Sequence, residues 1–265
     1  MATELQGVDS ASRATDSYPQ GSSTTYANFV KSTPNAPVYW GRYFGPVTTT
    51  TPMDKDSGVS NSNEAGAMKA IGVKWIVPIA APPSVGGSSA QGQMDGTAAC
   101  AAIAKVIADA SGQPNKIQMP GSGALYVYLD IESGVAFMDA YWNGWANAVN
   151  SYPYSNQLPF YSCAYCNPCD VSPSNPNAGS NPCTTFDNGN NQICFSLWSS
   201  TPEGCCQYCV SRPEFAGNSC VDVGTDLWQY VEAKGCAQCG GTYPPIDYDL
   251  STSLLTMTDY MLYLP

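Results

Sequence analysis

The segment GALYVYLDIESG, residues 123–134, leads apolar and aromatic side chains into two carboxylates, Asp130 and Glu132. On an extended chain, residues i and i+2 point to the same face and lie about 7 Å apart along it. Each of two neighbouring carboxylates raises the pKa of the other, so Asp130 could keep Glu132 protonated near neutral pH. Cleavage of a glycosidic acetal needs one protonated carboxyl group and either a second, negative group or help from the substrate's own acetamido group. The alternative is that both acids only bind backbone N–H groups of the following turn.

Histidine is missing from the chain of 265 residues. Its absence excludes a Ser-His-Asp triad, a Cys-His dyad and any zinc site with a histidine ligand. Acid–base chemistry must therefore use Asp, Glu, Tyr, Lys or Cys side chains.

The charge balance is acidic, with ten basic against 21 acidic residues and a formal net charge of −11. Because the sequence has no basic run, nucleic acid and anionic membranes are poor partners. The longest apolar stretch, WIVPIAAPP, is too short to span a bilayer, so we expect a soluble chain. The length fits a single domain over residues 1–265.

Cysteine is concentrated in one part of the chain, since eleven of the twelve lie between residues 163 and 239 and only Cys100 stands apart. An even count in a loop-rich region indicates a disulfide framework, whose connectivity the sequence does not give. The predicted disulfide cysteines are Cys163, Cys166, Cys169, Cys183, Cys194, Cys205, Cys206, Cys209, Cys220, Cys236 and Cys239.

The spacing of CAYC, CQYC and CAQC also suits zinc or iron–sulfur ligands, and Cys206, Cys209, Cys236 and Cys239 would make a four-thiolate site. The surplus of cysteines favours disulfides, so we predict no metal and no cofactor. Disulfides require an oxidising compartment, which predicts a secreted, extracellular protein. The start, MATELQGVDS, is not a signal peptide, so either a leader has been removed or export uses another route, the first being favoured.

Short apolar runs alternate with helical patterns along the chain. The strand candidates are LQGVDSA, PVYWGRYFG, KWIVPIAA, ALYVYLDIE, LPFYSCAY, ICFSLWSS, TDLWQYVEA and PPIDYDLS. This order favours the α/β class, and eight strands in one domain favour a (β/α)₈ TIM-type barrel or a degenerate relative of it. We expect a disulfide-rich loop insertion in its C-terminal half, at about residues 163–239.

Four helices are predicted between these strands. The first covers YANFVKS, and the second begins with a capping-box-like Asn61 and ends at Gly72. The third runs from about Thr97 to Ala110. The fourth carries an apolar stripe that includes Tyr141, Trp142 and Trp145, which we expect in the core.

In a barrel of this type, polar residues at the carboxyl ends of the strands form the active site. We therefore expect the acids at the strand ends to converge at one end of the barrel. The residues at predicted strand ends are Asp9, Arg42, Tyr43, Asp130, Glu132, Asp247 and Asp249, with Asp226 to Tyr230 on the seventh strand.

The chain resembles the glycoside hydrolase-like barrels related to family 25 lysozymes, and most closely their DUF1906 branch. The motifs that carry the resemblance are GVDSAS, GRYFG, NSNEAGAMKAIGVKWIVPI, YVYLDIE, LPFYS, LWQY and IDYDL, which in order cover about residues 7 to 250. The chain departs from the lysozyme pattern in its cysteine-rich insertion and in the lack of a His-bearing motif in the third strand.

The resemblance implies a secreted barrel that acts on bacterial cell wall or a similar β-linked amino-sugar polymer. It implies that Glu132 is the general acid and that Asp130, Asp9 and Asp247 are its catalytic partners. Asp249 stands where those enzymes often have Asn, and we place it among the substrate-binding residues.

Further substrate-binding candidates are basic and aromatic residues near strand ends. Arg42 and Tyr43 end the second strand, and Arg42 either binds a substrate carboxylate or pairs with Asp9, the second being favoured. Trp198 and Trp228 follow leucines in two later strands and are candidates to stack on sugar rings, although tryptophans in barrels are more often core residues.

The rival hypothesis is an inactive barrel, hardened by disulfides, that serves as an extracellular structural, filament-forming or glycan-binding protein. A net charge of −11 repels anionic cell walls, and a surface with few charges and abundant Tyr, Ser, Thr and Asn suits self-assembly.

Overall fold

The structure is a computed structural model of the chain. The described residues are 4–18, 21, 23–32, 36–45, 53, 63–109, 117–121, 124–131, 137–153, 159–166, 194–204, 225–231, 246–251 and 258–265.

Strands and helices follow one another in the predicted order. The elements are β1 (Gln6–Ser10), α1 (Tyr26–Lys31), β2 (Tyr39–Phe44), α2 (Glu64–Ala70), β3 (Trp75–Ala80), α3 (Ser89–Asp109), β4 (Leu125–Ile131), α4 (Asp139–Asn150), β5 (Phe160–Cys166), β6 (Leu197–Gly204), β7 (Thr225–Val231), β8 (Ile246–Ser251), a 3₁₀-helix (Thr258–Tyr260) and β9 (Leu262–Tyr263).

The first seven strands form a curled parallel sheet in sequence order, from β1 to β7. Strand β8 is antiparallel to both of its neighbours, β7 and β1, and so joins the two ends of this sheet. The α/β class and all eight predicted strands are confirmed. The strict (β/α)₈ form is wrong at β8. In that form the eighth strand is parallel to both of its neighbours, whereas here it is antiparallel to both.

The sheet separates two apolar layers, because successive side chains of a strand point to opposite faces. Inside the ring lie the aromatic and aliphatic residues Tyr39, Tyr43, Val77, Ile79, Tyr128, Cys163, Tyr165, Trp198 and Leu227. Outside it, the alternate strand residues, Val127 and Leu129 among them, belong to one apolar layer that also contains the buried Tyr141, Trp142 and Trp145 of α4. The core positions predicted for these three aromatic residues are confirmed.

Two predicted helix starts differ from the structure. Helix α2 begins after Asn63, whose side chain accepts the Gly66 N–H at 2.9 Å, and not after a cap at Asn61. Helix α3 begins at Ser89, eight residues before the predicted Thr97. Its first two turns contain Gly and Gln and have no apolar stripe, so periodicity did not reveal them.

Helices α3 and α4 pack with their backbones in contact. A Cβ at Gly92 would overlap the carbonyl oxygen of Tyr141, and a Cβ at Gly144 would overlap that of Ser89. A hydrogen bond from Tyr141 Oη to Asp95 Oδ2, 2.8 Å long, crosses the same interface. The glycines therefore set the distance between α3 and α4.

The C-terminal segment covers the end of the barrel where the parallel strands begin. Strand β9 pairs antiparallel with the start of β3, and Met261 enters the interior layer. The Tyr260 ring stacks on Tyr126 with centroids 4.2 Å apart. This end is thereby closed, which leaves the opposite end as the place for a site. The sequence did not predict this segment.

We expect Gly144→Ala to lower the free energy of unfolding by about 1–3 kcal/mol, because the added methyl group must push the two backbones apart. In a helix without this contact, the same change would raise stability by about 1 kcal/mol. Gly121→Ala is the matched control, since nothing lies within 4 Å of its Cβ position. Urea unfolding measures the effect, and an unchanged or higher midpoint for Gly144→Ala would contradict the analysis.

Candidate functional site

Aspartates from three strands meet at the carboxyl end of the parallel sheet. Asp9 of β1 and Asp247 of β8 are direct partners across the antiparallel ladder, which brings their Cβ atoms to about 5 Å. Asp130 lies near the end of β4. Asp9 is 2% exposed and Asp130 is 8% exposed, whereas Asp247 is partly accessible. The predicted convergence of these three carboxylates is confirmed by the fold, while their predicted chemistry is a separate question.

Asp247 reaches this end for a reason that the sequence did not supply. The prediction put Asp247 and Asp249 at the carboxyl end of a parallel strand. Because β8 runs the other way, Asp247 lies at its beginning, and Asp249 lies one level deeper, opposite Gly7.

A tyrosine hydroxyl holds one of the acids. Tyr43 donates a hydrogen bond to Asp130 Oδ2 at 3.1 Å across the interior of the barrel. Burial raises the pKa of Tyr43 well above its ordinary value, and the charges of Asp130, Asp9 and Asp247 raise it further. Tyr43 therefore stays protonated and acts only as a donor toward the carboxylate.

A second hydrogen-bonded group lies beside the acids. Tyr165 of β5 and Ser200 of β6 both donate to the Gln229 side-chain oxygen, at 3.0 and 2.6 Å. Burial raises the pKa of Tyr165 as well, followed by the charges of Asp9 and Asp247. The two phenols thus lie in a negative electrostatic potential that several strands create together.

Asp249 is fully buried beneath this group. Its Oδ1 atom accepts a hydrogen bond from Trp198 Nε1 at 3.0 Å. Burial, and then the neighbouring charge of Asp247, raise the pKa of Asp249 well above its ordinary value, although the bond from Trp198 opposes the shift. Asp249 therefore holds its proton to a higher pH than a solvated aspartate does.

Arg42 is turned away from the acids. Its guanidinium packs on the outer side of β2, where Nε donates to Glu64 Oε1 at 2.6 Å and both side chains are fully buried. It also donates to the Ser10 carbonyl at 3.0 Å. The ion pair of Arg42 is thus with Glu64, where the sequence favoured Asp9, and its position does not suit a substrate-binding role. Glu64 is the third residue after Asn61 and fits the capping-box pattern predicted there, so the sequence does not reveal this pair.

The two tryptophan candidates have no ring face for a sugar. Trp198 is 0% exposed and lies in the interior layer. The edge of its ring lies so close to Gly41 that a Cβ at that position would overlap it. Trp228 is 2% exposed and belongs to the outer layer between sheet and helices. The predicted stacking of sugars on these rings is therefore not supported, and the core alternative holds for both residues.

Other predicted residues lie elsewhere or outside the described parts. Glu132 follows the last residue of β4 and is outside the described residues. Asp226 lies near the beginning of β7, at the opposite end from Asp9, and burial raises its pKa. It therefore lies on the seventh strand, as predicted, but away from the acids at the other end of the barrel.

The structure does not support disulfides at two of the predicted cysteines. Cys163 and Cys194 carry free thiols, and burial raises the pKa of each, to about 12 for Cys194. Cys166 is buried at the end of β5. The remaining predicted cysteines lie outside the described residues: Cys169, Cys183, Cys205, Cys206, Cys209, Cys220, Cys236 and Cys239.

Metal ligation has no geometric support within the described ranges. Among those residues, no group of three or more Cys, Asp or Glu side chains is arranged to hold a metal ion.

Within the described residues, no helix is long and apolar enough to cross a membrane.

Sequence reasoning missed Tyr165 and Ser200 as site residues, and it included Gln229 only within the range Asp226 to Tyr230. A signal was present, because in YSCAY and LWQY every second residue of a barrel strand points inward. Cross-strand contacts between them, however, depend on the relative register of β5, β6 and β7, which includes shifts along β6 and β7. No pattern within one strand gives that register.

Solved structures with a similar fold include an uncharacterized B. stearothermophilus protein, which is 18% identical, with a TM-score of 0.62 over 97% of this chain and 99% of that one. The Clostridium perfringens spore cortex lytic enzyme SleM is 10% identical, with a TM-score of 0.53 over 95% of this chain and 68% of its own. No protein-family model and no curated protein matches the chain. At these identities the likeness establishes the fold, and the family 25 and DUF1906 assignments stay predictions.

We expect Glu64→Gln to lower the free energy of unfolding by about 3–5 kcal/mol, because it leaves the buried Arg42 charge without its counter-charge. Asp259→Asn is the control, since it removes one negative charge from an exposed position. Thermal or urea unfolding measures both variants. Equal stability of the two would show that the ion pair is not a major constraint on β2 and α2.

We expect Asp249 to make the protein less stable as the pH rises. Its pKa is raised in the folded state, so the unfolded chain releases this proton first, from about pH 3.9 upward. The resulting stability is complete below that pH and is lost as the pH approaches the folded-state pKa. Asp249→Asn keeps an acceptor for Trp198 and should flatten this loss in urea unfolding between pH 4 and 8, whereas Asp259→Asn should not. A wild-type slope in Asp249→Asn would refute the assignment.

Proposed function

We propose that the protein is a glycoside hydrolase that acts on a β-linked amino-sugar polymer such as peptidoglycan. The observation that carries the proposal is the convergence of Asp9, Asp130 and Asp247, from three separate strands, at the open end of the barrel. Active sites of barrels of this type lie at the carboxyl ends of the strands. The fold is also similar to that of a spore cortex lytic enzyme.

In the proposed mechanism, Glu132 donates a proton to the leaving glycosidic oxygen. Asp130, two residues before it, stays negative and stabilises the positive charge that develops on the sugar ring. The hydrogen bond from Tyr43 to Asp130 fixes the orientation of that carboxylate. Asp9 and Asp247 add negative potential on the facing side of the site and position the substrate.

Polar groups around the acids suit a carbohydrate ligand. Gln229 accepts from Tyr165 and Ser200, and its amide N–H groups are donors that a sugar hydroxyl can use. We further propose that the protein works outside the cell and binds a cell-wall glycan. The many cysteines and the low content of charged residues support an extracellular location. We propose disulfides in the insertion only among the predicted cysteines other than Cys163 and Cys194.

The second candidate function is an inactive, glycan-binding or self-assembling barrel. A net charge of −11 favours it, because the whole molecule repels an anionic wall. Under this hypothesis the acids would bind a glycan without cleaving it, or would only persist in the fold.

We expect Glu132→Gln to reduce release of reducing sugars from the preferred polymer by about 10²–10⁴-fold, the usual contribution of a general acid. Asp130→Asn should reduce it by a similar factor, and Asp259→Asn should leave it unchanged. The assay covers peptidoglycan, chitin and neutral β-glucans between pH 4 and 8, with circular dichroism to verify folding. Release that is unaffected in Glu132→Gln rejects its role, and no release from any polymer by the folded wild-type protein favours the inactive barrel.

A further inference from the structure

Two residues of β7 and β8 lie opposite each other in the barrel interior, one level below the acids. Gln229 and Asp249 are direct partners across the antiparallel ladder, which brings their Cβ atoms to about 5 Å. Gln229 is 2% exposed and Asp249 is 0% exposed. Asp249 is also two residues from Asp247 on the same face of β8, so the pair borders the place where Asp247 faces Asp9.

The side-chain oxygen of Gln229 already has two donors. It accepts from Tyr165 Oη at 3.0 Å and from Ser200 Oγ at 2.6 Å. These two bonds turn the amide nitrogen to the other side, where it has no acceptor among the described residues. Gln229 Nε2 therefore presents N–H donors that the described part of the fold does not use.

Asp249 carries a second polar atom of this kind. Oδ1 accepts from Trp198 Nε1 at 3.0 Å, whereas Oδ2 is buried and has no hydrogen-bond partner among the described residues. Burial, followed by the charge of Asp247, raises the pKa of Asp249, and the proton lies on Oδ2 because Oδ1 accepts the indole N–H. Buried polar groups are hydrogen-bonded in nearly all native proteins, so two adjacent donors without an acceptor indicate that a ligand completes this level of the barrel.

We infer that Gln229 and Asp249 form a carbonyl-binding pair that determines specificity, in which the acetamido oxygen of an N-acetylated sugar accepts hydrogen bonds from Gln229 Nε2 and Asp249 Oδ2. This inference rests on the proposed function and assigns the residues that select its substrate. A carbonyl oxygen has two lone pairs and no proton, so it satisfies both donors at once. A sugar hydroxyl in the same place brings a proton of its own, for which the two donors offer no acceptor.

The test compares the β-1,4-linked hexamers of N-acetylglucosamine and of glucose, of which only the first carries acetamido groups. Titration calorimetry measures their binding to the Glu132→Gln protein, in which the proposed mechanism leaves the hexamers intact. We expect the acetylated hexamer to bind at least about tenfold more tightly. Gln229→Glu, added to this protein, keeps an oxygen for Tyr165 and Ser200 but loses the N–H donors, and it should remove most of the preference.

Three further variants separate a contact with the ligand from a structural role. Asp249→Asn offers an amide N–H in place of the carboxyl O–H and should keep the preference. Ser200→Ala removes one of the bonds that orient the Gln229 amide and should reduce the preference by a smaller factor. Gln118→Glu makes the same chemical change as Gln229→Glu at an exposed position beside β9, at the closed end, and should leave the preference unchanged. A purely structural role of Gln229 would lower the affinity for both hexamers by the same factor.

Equal or tighter binding of the glucose hexamer by the Glu132→Gln protein overturns the inference, and this outcome does not depend on the folding of any further variant. A preference that survives in Gln229→Glu overturns it as well. Release of reducing sugars from both hexamers by proteins that retain Glu132 is measured in parallel, so that the two proposals fail separately. Cleavage of both hexamers without a preference keeps the hydrolase and rejects the carbonyl-binding pair, whereas selective binding of the acetylated hexamer without cleavage keeps the pair and rejects the hydrolase.

Discussion

The direction of β8 governs both the closure of the barrel and the composition of its open end. Seven parallel strands curl far enough that a single antiparallel strand can bond to the first and the last of them. The ladder between β1 and β8 then fixes Asp9 against Asp247, because pairing in an antiparallel ladder is residue against residue. A shift of one residue would turn Asp247 and Asp249 out of the interior, so the register is a condition of the acid group.

Burying carboxylates is costly, and the fold offsets the cost in different ways at different positions. Asp130 receives a phenol donor from Tyr43, and Asp249 receives an indole donor from Trp198. Glu64, on the other side of the sheet, is neutralised by Arg42. The outer layer thus holds a balanced ion pair, whereas these two interior carboxyl groups accept hydrogen bonds from aromatic side chains.

The two ends of the barrel differ in the side chains that lie there. At the end where the parallel strands begin, Met261 and the stacked rings of Tyr126 and Tyr260 cover the interior. At the other end, polar side chains of β1, β4, β5, β7 and β8 line the interior. The same division between a covered, stabilising end and a functional end is general in barrels of parallel strands. The likeness to the spore cortex lytic enzyme concerns the fold alone.

The eight strands and the order of the helices followed from the sequence, because each is a local pattern of apolar residues and turn formers. So did the placement of Asp9 and Asp130 at one end, since the carboxyl ends of parallel strands share one rim, whereas Asp247 lies there because β8 is antiparallel. The direction of β8, the partner of Arg42 and the bonds among Tyr165, Ser200 and Gln229 did not follow. They depend on register and on which face of a strand meets which helix, and these are set by packing between segments far apart in the chain. For Trp198 and Trp228 the sequence did not decide between a core position and a position at the site. The tertiary structure decides it, because the interior of the closed sheet buries Trp198 and the layer between sheet and helices buries Trp228.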